Sequence, residues 1–341
     1  MWRSAMPSEW GDGPRSFAAE LTRFAEVVPC AHLAPLAASM RRPLRVAVVG
    51  RRGVGRGTVQ AALRARSVCV VAAASVADVR VVVIAEALKP EDEALLVSAS
   101  PRLVVLTKAD VIGSDSGGPL AAATRYAAQV SAATGAPVVV MIGLLAMVTG
   151  LDDDLLDALR TLEAVPADLG SVDAFVRVDH PLGRDVRSRL LDRLDRFGVA
   201  HAVLALSDGA QPATVVQRLQ QLSNVDGVLA GLRGVAAPIG YRRIQRVLTE
   251  LRCLHTRFGD DRLLQLLQSD AIAMAVMTAA VDVVEADGMI VDRGDEPDAH
   301  ARRAVQWSRY ARGPVGVLHR TCAADITRGS LRLIDQVEAG P

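Results

Sequence analysis

The chain has 341 residues, half of them hydrophobic and only 3% aromatic, enough for two domains with cores of Ala, Val and Leu. Its 39 basic and 38 acidic residues leave a net charge of +1, which gives no global field for nucleic acid or an anionic membrane. Cys30, Cys69, Cys253 and Cys322 lie far apart with no C-x-x-C pair, so neither a disulfide framework nor a zinc site is legible.

In chain order, "MWRSAMPSEWGDGPRSF" carries acids and lacks the apolar stretch of a signal peptide. Disorder is expected over 1–15, then helix over 16–40, split in two by Pro29 and Pro35. "PLRVAVVG" (43–50) is a continuous apolar run of the kind buried in parallel sheets. "GRGTVQAALRAR" (55–66) reads as the helix after it, and "SVCVVAAA" (67–74) as a second strand. "ADVRVVVIAEA" (77–87) is a third strand, followed by a helix over 89–99 with Pro90 and acids in its first turn. "PRLVVLTKAD" (101–110) is a fourth strand, 117–135 a helix ended by Gly135, and "APVVVMIGLLA" (136–146) a last strand. Strands alternating with helices predict an α/β fold, a doubly wound, mostly parallel sheet. Beyond 150 the apolar positions take the helical period. "VAHAVLALS" (199–207) reads as a short strand or a buried helix segment. The expected organisation is a tail with short helices over 1–42, the α/β domain over 43–150 and an all-helical domain over 151–341.

Residues 50–58 read "GRRGVGRGT". A P-loop, G-x-x-x-x-G-K-[ST], cradles phosphate because consecutive backbone N–H groups converge at a helix N-terminus. Gly50, Gly53, Gly55 and Gly57 supply the freedom for that approach. Arg56 stands in the lysine's place and keeps its charge, while Gly57 stands in the hydroxyl's place and Thr58 comes one step late. A tight strand–helix turn without a ligand is the alternative.

The second motif is "TKAD", Thr107 to Asp110, after another buried strand. The two motifs, in this order and each at a strand's carboxyl end, resemble the P-loop GTPase family. The large helical remainder is similar in architecture to its dynamin-like members, the actinobacterial ones above all. The resemblance implies that Asp110 accepts hydrogen bonds from the guanine N1–H and exocyclic amine, that the Lys108 stem lies against the base, and that Thr107 takes the motif's first position. The family's Ser-Ala element would fall near 142–146, where "IGLLA" offers only Gly143 at the turn.

The family also carries a Thr-bearing switch loop and a D-x-x-G at the end of its next core strand. Between Thr58 and Val79 stand roughly twenty residues with one acid, Asp78, and the parts that hold Mg²⁺ and position water have no counterpart. The other polar clusters have simpler readings. Asp185 in "VDHPLGRD" and the acids of "LDDD" (151–154) are helix-start residues. No zinc-hydrolase motif or G-x-S-x-G frame surrounds the histidines or Ser75, Ser98 and Ser100. "YRRIQRV" (241–247) is a solvated basic face, and the apolar run 271–284, interrupted by Asp282, is a bundle-core helix.

The expectation is a cytoplasmic GTPase-like protein. It binds GTP or GDP through Gly50, Gly53, Gly55, Arg56, Gly57, Thr58, Thr107, Lys108, Asp110 and Gly143, with neither a catalytic residue nor a Mg²⁺ site. It acts as a regulatory or scaffolding partner of another protein, without nucleic acid, and its contact with membrane is at most peripheral. An active divergent GTP hydrolase and a helical interaction module that binds no nucleotide are the alternatives.

Overall fold

The computed structural model describes residues 12–28, 31–97, 100–113 and 117–338. Residues 1–11 of the expected tail, Pro29, Cys30 and Ser98 lie outside the described residues. The chain divides into two compact units, residues 44–232 and residues 1–43 with 233–341.

The first unit holds five strands, β1 (Val46–Val49), β2 (Val70–Val71), β3 (Val79–Ala85), β4 (Arg102–Thr107) and β5 (Val138–Val140). They form one parallel sheet in the order β2-β1-β3-β4-β5. The apolar runs become strands because the central ones are covered on both faces. Val81, Val82, Val83 and Ile84 of β3 are fully buried, as are Leu103 to Leu106 of β4. Helix α3 (Arg56–Ala65) follows β1, α4 (Pro90–Leu96) follows β3, and α5 (Gly118–Thr134) follows β4. One face of the sheet packs Val82, Ile84, Val104 and Leu106 against Leu96, Ala127 and Val130. On the other, a Cβ on Gly231 would come within 3.0 Å of the Leu103 and Val139 side chains. The second strand expected over 67–74 shrinks to Val70–Val71, at the sheet's edge.

Four more helices complete this unit, α6 (Asp153–Ala164), α7 (Val172–Arg177), α8 (Arg184–Ser207) and α9 (Pro212–Ser223). Their apolar faces share a core with Ala109, Ala123, Ile142, Leu145 and Val148 of the α/β segment. This division differs from an α/β domain ending at 150, because helices up to α9 draw on the same buried residues. The run 199–207 is helical, since Val199, Ala202 and Ala205 bury at helical spacing rather than alternately. Asp152 caps α6 by accepting from Leu155 N at 2.8 Å, and Asp185 lies in the first turn of α8.

Helix α9 ends at Asn224, φ +57°, and α10 (Val225–Phe258) starts directly after it. The break finishes the sheet's edge. Ile142 N donates to Ser223 O at 3.0 Å, and Asn224 Nδ2 donates to Val140 O at 2.8 Å. Two backbone groups that a further strand would have satisfied are met by a helix junction instead.

The second unit is helical: α1 (Asp12–Val27), α2 (Leu33–Arg41), the rest of α10, α11 (Asp261–Gln268), α12 (Asp270–Ala286), α13 (Pro297–Ala311) and α14 (Val317–Glu338). Pro35 does not divide a helix; it sits in the first turn of α2, where its missing N–H costs nothing. The run 271–284 is the core helix expected, with Met277, Ala280, Val283 and Val284 fully buried among Phe17, Leu21, Tyr241, Trp307 and Ile326. Gly13 lets α1 approach it, because a Cβ there would lie 2.4 Å from Ala279 N. Asp325, nearly buried, accepts from Tyr241 Oη and Gln245 Nε2, each at 2.6 Å, and from Arg328 at 2.8 Å. Among the described residues no single helix is long and apolar enough to cross a membrane.

Candidate functional site

In a sheet of this order the connections after β1 and β3 leave in opposite directions, and ligands of doubly wound folds bind at that point, outside the strands' carboxyl ends. The loop after β1 is residues 50–55. Gly50 has no room for a side chain, since a Cβ would lie 2.6 Å from Val83 O of the neighbouring strand. Gly53 (φ +87°) and Gly55 (φ +81°) turn the chain through conformations that other residues avoid. Between them Val54 is 1% exposed and pins the arch to the core. Gly55 then caps α3, whose first N–H groups have no side-chain cap. No heavy atom lies within 4 Å of a Cβ built on Gly57.

The two motifs meet through Thr107. Its buried hydroxyl lies 2.5 Å from Val54 O and 3.0 Å from Ile84 O, and donates its single proton between them. The first residue of "TKAD" thus holds the crown of the loop against the sheet. Lys108 adopts the left-handed conformation (φ +55°) and turns the chain sharply off β4, leaving its side chain exposed. Ala109 is buried, and a 3-10 turn over Ala109–Val111 carries Asp110. Burial, above all, pushes the Asp110 carboxyl above the ordinary aspartate range, and the charge of Asp195 adds to the rise. Its own backbone N–H, Arg196 and Lys108 pull the other way.

Of the charged residues of the loop, Arg51 turns inward, while Arg52 and Arg56 stay exposed. Arg51 Nε donates to both carboxylate oxygens of Asp92, at 3.2 and 3.0 Å, and its Nη2 donates to Ala85 O at 3.0 Å. Asp92 is fully buried and also accepts from Lys89 N at 3.2 Å. Arg51 therefore ties the loop to the start of α4. Arg56 folds back, donating to Gly50 O at 3.3 Å, and leaves its guanidinium exposed. The methyl of Thr58 faces Gly143, on which a Cβ would lie 3.2 Å away.

The residues present do not fit Mg²⁺. Gly57 has no hydroxyl, and the Thr58 methyl packs toward Gly143. After β2 comes a 3-10 turn, Ala74–Val76, without an acid. Asp78, the one acid of that region, precedes β3 at the far end of the strands. There it binds Arg45 through the backbone N at 2.9 Å and the guanidinium at 3.2–3.3 Å. Among the described residues no group of three His, Cys, Asp or Glu is placed to hold a metal ion. The stretch near 142–146 brings no polar group to the site either. Leu145 is fully buried and packs so close to α8 that a Cβ on Gly198 would lie 2.7 Å from its Cδ2.

Four participants were not singled out from the sequence. Arg51 and Asp92 looked like a loop arginine and a first-turn acid. Asp195 and Arg196 lie within "DRLDRF", where nothing marks them. Two open cavities of about 660 and 620 Å³ lie elsewhere in this unit, the first between α6 and α8 and the second between α5, α8 and α9. His180 closes a turn, with Nε2 2.9 Å from Val165 O and Nδ1 accepting from Leu182 N. The chain matches no protein-family model and aligns significantly with no curated protein.

Proposed function

We propose that residues 50–58 and 107–110 form a guanine-nucleotide site that binds GDP or GTP without hydrolysing it. On this reading the chain is a cytoplasmic regulatory or scaffolding partner of other proteins, a dynamin-like GTPase among them. The observation that carries the proposal is the coupling of the motifs. A glycine arch opening onto a helix N-terminus sits at the sheet's switch point, and the first residue of the base-reading motif holds that arch in place. The absence of hydrolysis rests on the chemistry of the loop, where Arg51 is committed to Asp92, Gly57 carries no hydroxyl and no acid ends β2.

Isothermal titration of the full chain with GDP, GTP and ATP, with and without Mg²⁺, tests it. Guanine nucleotides are expected to bind in preference to ATP, without help from Mg²⁺ and without phosphate release. Asp110→Ala should weaken GDP by about 1.5–3 kcal/mol, as for a lost hydrogen bond to a charged group. Turnover abolished by Arg56→Ala would establish an active hydrolase instead, and no binding of any nucleotide would leave an interaction module. Membrane contact, a further implication of the resemblance, is checked by pelleting with liposomes.

A further inference from the structure

Where α12 and α13 end and α14 begins, three side chains join in one hydrogen-bonded chain. Asp287 is the C-cap of α12, Tyr310 stands in the last turn of α13, and His319 in the first turn of α14. His319 Nε2 lies 2.6 Å from Asp287 Oδ2, and its Nδ1 lies 3.1 Å from Tyr310 Oη. We infer that Tyr310 is a nucleophile activated by this pair, and that it takes up an acyl group from an activated ester. The site is separate from residues 50–58 and 107–110 and does not depend on the nucleotide reading.

The proton positions follow from the carboxylate. A carboxylate only accepts, so His319 Nε2 carries the ring hydrogen and Nδ1 keeps its lone pair. The Tyr310 hydroxyl then donates to Nδ1. Nucleophile, base and orienting acid thus stand in the order, and at the reach, that activates a weak nucleophile. The other two tyrosines of the chain lack this arrangement. Tyr126 Oη accepts from Leu88 N at 2.7 Å. Tyr241 Oη donates to Asp325 but is 1% exposed, and burial, ahead of that carboxylate's charge, holds its pKa above the ordinary phenol range. Tyr310 is half-buried beside a His319 that is 24% exposed, so a small substrate reaches both.

Packing holds the three groups in place. The Tyr310 ring stands edge-on to the fully buried Trp307, with centroids 5.3 Å apart. Gly288 (φ +85°) turns the chain directly after Asp287, and Met289 N closes that turn on Val284 O at 3.1 Å. Cys322, one turn after His319, is fully buried. The positive end of α14 lies in the turn that carries His319 and favours the negative charge that develops on an attacked carbonyl oxygen. In the step itself, the bond from Tyr310 Oη to the carbonyl carbon forms and the bond from that carbon to the leaving oxygen breaks. The phenol proton passes to His319 Nδ1 and then to the leaving oxygen. Asp287 touches no substrate and acts as a positioning residue for the imidazole.

The full chain mixed with p-nitrophenyl acetate provides the test, followed by nitrophenolate absorbance and by mass spectrometry of the acetylated peptides. Background is low, because the chain has only two lysines, Lys89 and Lys108. Tyr310 is expected to acetylate about a hundredfold faster than Tyr126 in the same sample, the lower range of what a positioned base contributes. His319→Gln should remove that advantage, and Tyr310→Phe should remove the fast release of nitrophenolate. Asp287→Asn should slow the reaction about tenfold and Asp287→Glu should restore most of the rate, with Tyr126 acetylation as the unmoved reference for a folded chain. Equal acetylation of Tyr310 and Tyr126 in the unaltered chain would overturn the inference, whatever the variants do. Fast release that survives Tyr310→Phe would also overturn it, by making His319 the nucleophile.

Discussion

Thr107 shows how much of the site one side chain can organise. Its hydroxyl reaches a carbonyl of the loop and a carbonyl of β3 from the end of β4, so the arch cannot move without breaking a buried hydrogen bond. The glycines of that arch were legible in the sequence, because only their φ angles permit the turn. The orientations of Arg51, Arg56 and Thr58 were not, because they depend on partners at Asp92, Gly50 and Gly143 that only the fold supplies. Asp110 leads to a pH prediction. Its folded pKa lies above the ordinary value, chiefly through burial, and the proposed nucleotide binding would need the ionised carboxylate as acceptor. Affinity for GDP should therefore fall on acidification at a higher pH than an unperturbed aspartate with a pKa of about 3.9 would give. Stability responds the other way. In the window between the unfolded and raised folded values the native state holds the extra proton, so stability declines as pH rises through it. Titrations and thermal melts at stepped pH measure both effects, and Asp110→Asn should remove the second.

At the scale of elements, the strands were the most legible features, since continuous apolar runs bounded by polar residues leave few alternatives. Junctions were less so. The break at Asn224 lies between two stretches that both favour helix, and it exists because Asn224 and Ser223 complete the edge of β5. The loop-to-helix tie between Arg51 and Asp92 was equally hidden, as each partner looks ordinary alone. Its strength is testable. Asp92 is fully buried and Arg51 is 23% exposed, so removing either partner leaves an unpaired charge. Asp92→Ala should cost about 2–4 kcal/mol in urea unfolding, at the lower side of a fully buried pair because Arg51 keeps some water. Arg51→Ala should cost at least as much, since it strands the more buried charge. The paired change Arg51→Met with Asp92→Leu should cost less than either alone. Equal and additive costs would show that the tie contributes nothing specific.

For the whole molecule, chain length allowed two domains, and the onset of helical periodicity set the expected end of the α/β domain at residue 150. Apolar periodicity shows which face of a helix is buried, but not against which neighbour. Helices α6 to α9 therefore looked like the beginning of the helical part, although Leu155, Leu159, Phe175 and Leu190 pack in one core with Ile142 and Leu145. A fragment of residues 44–232 should unfold cooperatively in a thermal melt followed by circular dichroism. A fragment ending at 150 exposes the residues of that core and should aggregate. The other unit is assembled from both ends of the sequence, with Phe17 and Leu21 buried against α12. Roughly 240 residues separate α1 from that partner, which places the pairing among the most non-local a chain of this size can make. During synthesis the emerging α1 has only α2 to pack against until α10 and α12 have left the ribosome. The intervening unit can complete its own core in that interval, so a nascent-chain protease would find the first forty residues cleavable long after the sheet has become resistant.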